Sequence, residues 1–198
     1  MEIFFVIIMS LTSIIGLAFI VERGFALRWN RVVPTAIERA AHACRGQDDR
    51  AALRRLCEQS TAPLARLLLV AEEHLDLPRE ENENALQTRA RREIVGLERG
   101  LVVLEIVVGI APLLGLVGTI YGMMALFGGL GEVGLGDNAL LARGISLILR
   151  FTMAGLLIAI PSLIAWNYYT KKVEMLAVEM ETICSDFLQR QYQPGTRK

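Results

Sequence analysis

Three long apolar runs constrain this 198-residue chain more than any other feature. Ile3–Val21 holds no charge, Leu101–Phe127 holds one (Glu105), and Phe151–Tyr169 again holds none. A helix needs about 20 such residues to cross a hydrocarbon core of about 30 Å, and in lipid it satisfies its backbone polar groups internally. The chain is therefore expected to be all-α, an integral membrane protein with three transmembrane helices. Composition agrees, with 53% hydrophobic residues and a mean hydropathy of +0.41.

The ends of the runs carry further meaning. No basic stretch precedes the first run, since Glu2 follows Met1, and no small-x-small cleavage site closes it. Glu22 and Arg23 stop it instead, so it reads as a retained anchor. The second run, 27 residues long, would reach about 40 Å as a helix and must tilt or project beyond the membrane. The third begins near Gly144 and includes Arg150.

Basic residues predict orientation. Arg23, Arg28 and Arg31 follow the first run, Arg89, Arg91, Arg92 and Arg99 precede the second, and Lys171 and Lys172 follow the third. The connector Gly128–Asn138 has Glu132 and Asp137 but neither lysine nor arginine. The N-terminus and this connector are thus expected outside, the long central segment and the C-terminus inside. The expected organisation is a first span over 1–22, a cytoplasmic helical region over 23–100, a second span over 101–127, an outer connector over 128–143, a third span over 144–169 and an inner C-terminal helix and tail over 170–198.

The inner segment reads as helical. Pro34 suits a first turn, Gly46 a stop, Asp48 or Asp49 a new N-cap, and Pro63 another start after Ser60-Thr61. Leu86, Ala90, Ile94, Leu97 and Leu101 recur at spacings of three and four and predict one helix running into the second span. Leu176, Met180, Ile183 and Phe187 likewise predict that the third span continues inward. Two of the three spans are thus expected to extend into the cytoplasm.

Within the second run, Ala111–Met124 reads APLLGLVGTIYGMM. Gly115, Gly118 and Gly122 share one helix face and allow close approach of another backbone, which predicts homo-oligomer contacts through glycine-lined faces. Pro112 and Pro161 are expected to kink their helices and free backbone carbonyls. Polar groups inside a membrane are functional candidates by default: Thr119, Thr152, Glu105, Arg150 and Ser146. Counted from the inner ends of their spans, Thr119 and Thr152 reach depths of about 27 and 26 Å. In antiparallel neighbours these hydroxyls either form a shared polar site or bond carbonyls of their own helices. Arg150, about 200° from Thr152 around its helix, points away, and it and Glu105 read as structural.

Other functions find no support. A formal charge of zero argues against nucleic acid. His42 and His74 stand alone, and Cys44, Cys57 and Cys184 have neither zinc nor redox spacing. They read as small apolar side chains in a reducing compartment. No nucleophile–base pair, phosphate loop, metal set or cofactor motif is present, so no enzyme, metal or cofactor is expected.

At these residues the chain resembles the MotA/TolQ/ExbB proton channel family, most closely its three-span ExbB/TolQ branch. APLLGLVGTIYGMM is similar to that family's second-span signature. Gly144–Ser146 (GIS) and Thr152–Pro161 (T-x-x-GLLIAIP), followed by Asn167, are similar to its third. The resemblance implies a subunit of a proton-motive-force-driven motor in the bacterial inner membrane. In it five copies surround an ExbD/TolR-like single-span partner, and protons pass by a transmembrane aspartate of that partner. It assigns Thr119 and Thr152 to the proton pathway, and Pro112, Gly115, Gly118, Gly122, Gly155 and Pro161 to helix packing and partner-facing surface. It leaves open energised transport, envelope maintenance or gliding as the work driven. The sequence departs from the pattern at Leu147, where a glutamate is usual, and at Arg150 and Phe151. A passive oligomeric scaffold and a sodium-driven relative are the alternative readings.

Overall fold

The computed structural model describes residues 2–133 and 138–192. Among these the chain is mainly helical, with no strand. The elements are α1 (Glu2–Ala26), α2 (Trp29–Val32), α3 (Thr35–Ala43), α4 (Gln47–Glu58), α5 (Pro63–Glu73), α6 (Arg79–Glu98), α7 (Leu101–Val133) and α8 (Asn138–Tyr192). Three of them, α1, α7 and α8, are long and apolar enough to cross a membrane. The 55 residues of α8 rise about 80 Å and the 33 of α7 about 50 Å, so both outrun a hydrocarbon core. Helix covers most of the connector expected over 128–143, and residues 134–137 lie outside the described residues.

The chain divides into two compact units. One comprises the residues up to Arg23 with Gly100–Tyr168 and holds α1, α7 and the first part of α8. Its core is thin: Leu101, Leu104, Val107, Ala111, Ile148, Phe151 and Ala159 are buried, whereas Ile7, Leu17, Leu113, Ile120, Leu149, Leu157 and Ile164 are exposed. An apolar exterior of this kind calls for lipid or other chains around it. Gly16 joins the three helices: a Cβ there would meet Ser162 Oγ of α8 at 3.2 Å and Val107 Cγ1 of α7 at 3.3 Å.

The second unit comprises Gly24–Arg99 with the residues from Tyr169 on. Its core is filled by α5, whose Leu64, Ala65, Leu67, Leu68 and Ala71 are all buried, and by the stripe Val173, Leu176, Met180, Ile183 and Phe187 of α8. That stripe repeats every three or four residues, as the sequence predicts. Polar locks hold the unit's end. The Asn82 amide donates to Ala71 O at 2.9 Å and to the Tyr192 hydroxyl at 3.2 Å, and that hydroxyl donates to Leu77 O at 2.9 Å. Buried Glu93 accepts from Arg66 at 2.6 Å and pairs with Arg89 at 3.0 Å.

Local starts and stops differ in detail from expectation. Pro63 opens α5 as predicted, and Ser60 Oγ accepts from Ala62 N at 3.2 Å ahead of it. Gly46 is the N-cap of α4 rather than the stop of α3, and Asp49 reaches back to accept from Arg45 N at 3.1 Å and Gly46 N at 3.2 Å. Those two backbone donors hold the Asp49 carboxyl below its ordinary pKa. The single helix expected to run into the second span is instead two, α6 ending at Glu98 and α7 starting at Leu101. Gly100 is buried in the break, and a Cβ there would overlap the Arg23 side chain. Arg23 itself donates to Glu22 at 2.5 and 2.6 Å.

Candidate functional site

Small residues decide how α7 meets α8. A Cβ on Gly115 would lie 3.0 Å from Phe151 O and 3.2 Å from Thr152 Cα, and one on Gly155 would lie 2.6 Å from Ala111 O and 3.2 Å from Gly115 Cα. A Cβ on Gly118 would stand 2.9 Å from the Phe151 ring, one on Gly122 2.7 Å from Ile148 Cγ1, and one on Gly144 would overlap Leu126. Residue numbers rise on one helix as they fall on the other, so the pair is antiparallel. The glycine face expected to join copies is therefore filled by the chain's own α8. Gly109, like Gly128 and Gly129 further along α7, has open space beyond its Cβ position.

The seam fixes where the threonines stand. At about 100° per residue, Ala111, Gly115, Gly118 and Gly122 span about 60° of α7, and Gly144, Ile148, Phe151 and Gly155 span about 60° of α8. Thr119 is turned about 70° from the centre of the first arc and Thr152 about 70° from the centre of the second, both in the direction of chain advance. On antiparallel helices equal turns in that sense lead to the same edge of the contact. Both side chains are half-buried, as that edge position requires. Phe151 lies against Gly118 and Thr152 Cα against the Gly115 position, so Thr152 is level with the turn Gly115–Gly118 and within about one turn of Thr119.

The opposite edge is closed by α1. Phe5 packs on Tyr121 at 5.6 Å and on Phe151 at 6.2 Å between ring centres. The three rings form an aromatic layer that the glycine at 118 makes possible, because Phe151 needs the space a larger residue would fill. Phe5 and Tyr121 gave no sequence signal, being far apart in the chain; the unusual Phe151 was the available clue. The edge bearing the threonines has no such cover from α1.

Hydrogen bonding separates the two hydroxyls. Thr119 Oγ1 donates to Leu116 O at 2.6 Å, the own-helix bond weighed above. Its oxygen remains able to accept a proton donor from outside. Thr152 has no hydrogen-bond partner among the described residues, so it can both donate and accept. Thr12 and Ser162 instead bond their own helices, at 2.8 Å each, to Ile8 O and Ile158 O.

The other candidates fall elsewhere. Pro112 is on the threonine edge of α7, whereas Pro161, nine residues from Thr152, is turned about 180° from it and is exposed. Each proline lacks the N–H that would pair the carbonyl four residues earlier, Val108 O or Leu157 O. Glu105, Ser146, Arg150 and Asn167 are exposed, and Asn167 Nδ2 donates to Leu163 O at 3.0 Å. Among the described residues no group of His, Cys, Asp and Glu is placed to hold a metal. The cysteines are buried, and burial is the largest factor pushing the thiols up, Cys57 to about 11 and Cys184 to about 12.

Comparison with known proteins finds a match to the MotA/TolQ/ExbB proton channel family over residues 49–182. The biopolymer transport protein ExbB of Helicobacter pylori is 38% identical over 81 residues, 41% of this chain and 56% of that protein. The Tol-Pal system protein TolQ of Pseudomonas aeruginosa is 37% identical over 103 residues, 52% of this chain and 45% of that protein. An ExbB-like relative from Synechocystis is 29% identical over 164 residues, 79% of this chain and 76% of its own. The chain spans about half the length of the first two of these curated relatives.

Proposed function

The chain belongs to the MotA/TolQ/ExbB proton channel family, and from that premise we propose that it is a stator-like subunit of a proton-driven motor in the bacterial inner membrane. Copies of it, five by the family resemblance, surround an ExbD/TolR-like single-span protein whose helix carries a transmembrane aspartate. Proton flow through the complex is coupled to mechanical work in the cell envelope. The N-terminus and the α7–α8 connection face outward and the second compact unit inward, following the basic-residue asymmetry.

The supporting observation is the pairing of Thr119 and Thr152 on the one seam edge that α1 leaves uncovered. Neither α7 nor α8 has a carboxylate within two turns of these threonines, so the carboxyl that carries the proton is the partner's. It supplies two hydroxyls with complementary roles. Thr119, its proton committed to Leu116 O, accepts from a protonated carboxyl; Thr152 donates to the carboxylate once the proton leaves. A charge crossing 100 mV releases about 2.3 kcal/mol, available for moving the inner helices past the threonine edge.

The roles predict an asymmetry. Removing a hydrogen bond to a charged group costs about 1.5–3 kcal/mol, roughly tenfold or more in rate. Thr152→Val should therefore slow proton uptake into vesicles holding the complex by at least that factor. Thr119→Val should slow it less, Thr152→Ser should keep most of it, and a pull-down should find the partner still bound in each. Normal uptake in the double valine variant would return both hydroxyls to structural roles and favour a passive scaffold.

A further inference from the structure

Arg143, Ser146 and Arg150 form an exposed stripe on α8, three and four residues apart and within about 60° of arc. Arg150 is turned about 200° from Thr152, so the stripe looks away from the threonine edge and away from the α7 seam. A groove of about 500 Å³ runs beside it, lined by Ala142, Ile145, Ser146, Leu149, Arg150 and Met153. Ile145, Leu149 and Met153 are 48%, 63% and 58% exposed and make its walls an open apolar surface. Neither guanidinium has an ion-pair or hydrogen-bond partner among the described residues.

Arg150 marks one end of an apolar stretch that runs from Phe151 to Trp166 and closes at Asn167. Its 16 residues rise about 24 Å, close to the thickness of a hydrocarbon core. Helical side chains lean toward the helix N-terminus, so Arg150 reaches out past the end of that stretch, toward Arg143 two turns (about 10.5 Å) further on. A guanidinium at that boundary stands at the level of the lipid phosphates. A phosphodiester offers it paired oxygens at the right depth, with acyl chains attached that suit the apolar groove walls.

We propose that the Arg143–Ser146–Arg150 stripe is a binding site for an anionic phospholipid, whose headgroup phosphate the two guanidiniums hold while its acyl chains lie along Ile145, Leu149 and Met153. The flanking surface favours a lipid over a carboxylate of another protein, because apart from Ser146 and Arg150 the groove offers only apolar side chains of one helix. The site is independent of the threonine edge and of the proton-motor reading.

The test is native mass spectrometry of the assembled complex released from nanodiscs of phosphatidylglycerol or of phosphatidylcholine. Wild type should retain phosphatidylglycerol in preference. Arg150→Gln should retain roughly fivefold less, the ratio set by about 1 kcal/mol per arginine near a membrane surface. Arg143→Gln with Arg150→Gln should abolish the preference, and Arg150→Lys should restore part of it. Equal retention of the two lipids by wild type would overturn the proposal. So would an Arg150→Gln complex that keeps its lipid but falls apart into smaller oligomers, which would assign the stripe to a neighbouring protein.

Discussion

Gly155→Ala tests the seam at its tightest point. The added Cβ would stand 2.6 Å from Ala111 O, 0.8 Å inside the 3.4 Å at which ordinary contact begins, and the obstructing atom is backbone. No rotamer change relieves it, so α7 and α8 must separate locally by most of that distance. A gap of 0.5–1 Å forfeits a quarter to a half of each dispersion contact, and a few tens of atom pairs at about 0.1–0.2 kcal/mol each line such a seam. The loss comes to roughly 1–3 kcal/mol, the usual cost of overpacking. Gly109→Ala is the control, since nothing lies within 4 Å of its Cβ position. There the better helix propensity of alanine, up to about 1 kcal/mol in water, meets no steric opposition. Unfolding in mixed micelles, followed by circular dichroism against detergent mole fraction, should show Gly155→Ala losing stability and Gly109→Ala neutral or gaining. Equal stability of Gly155→Ala and wild type would refute the close approach, and equal losses in both variants would refute the assignment of faces.

Other outcomes follow from the second compact unit. Cys57 and Cys184, raised to about 11 and 12 by burial first and then by neighbouring negative charge, should resist maleimide at pH 8 in the folded protein and react once it unfolds. A thiol pKa raised by folding adds stability below the unfolded value of about 8.5 that is lost as pH rises through 11–12. Unfolding should accordingly become easier above about pH 9, and less so in a Cys57→Ala, Cys184→Ala variant. Asn82→Ala leaves the buried Ala71 carbonyl without its donor and should cost about 1–3 kcal/mol in denaturant unfolding. Tyr192→Phe, which removes the hydroxyl from Leu77 O and Asn82, should cost about 0.5–1.5 kcal/mol.

Sequence alone determined the helical class, the three spans and the continuation of the last one past its apolar run, because lipid and helix geometry leave few choices. A run of about 20 apolar residues must satisfy its backbone internally, and Leu176, Met180, Ile183 and Phe187 can share a face only at 3.6 residues per turn. It also singled out Thr119 and Thr152, since a hydroxyl amid apolar residues shows in any window. Which surface each glycine meets was not legible. Gly115 and Gly109 differ in nothing local, yet one lies against α8 and the other has open space. The break at Gly100 was hidden for the same reason: periodicity continues through it, and the Arg23 side chain that occupies the space beside Gly100 is brought there by α1. Likewise only the fold places Phe5 beside Tyr121 and Phe151, closing one edge of the seam and leaving the threonine edge without that cover. Periodicity says which residues share a face; the antiparallel register of α7 and α8, set by contacts between residues distant in the chain, decides what that face meets.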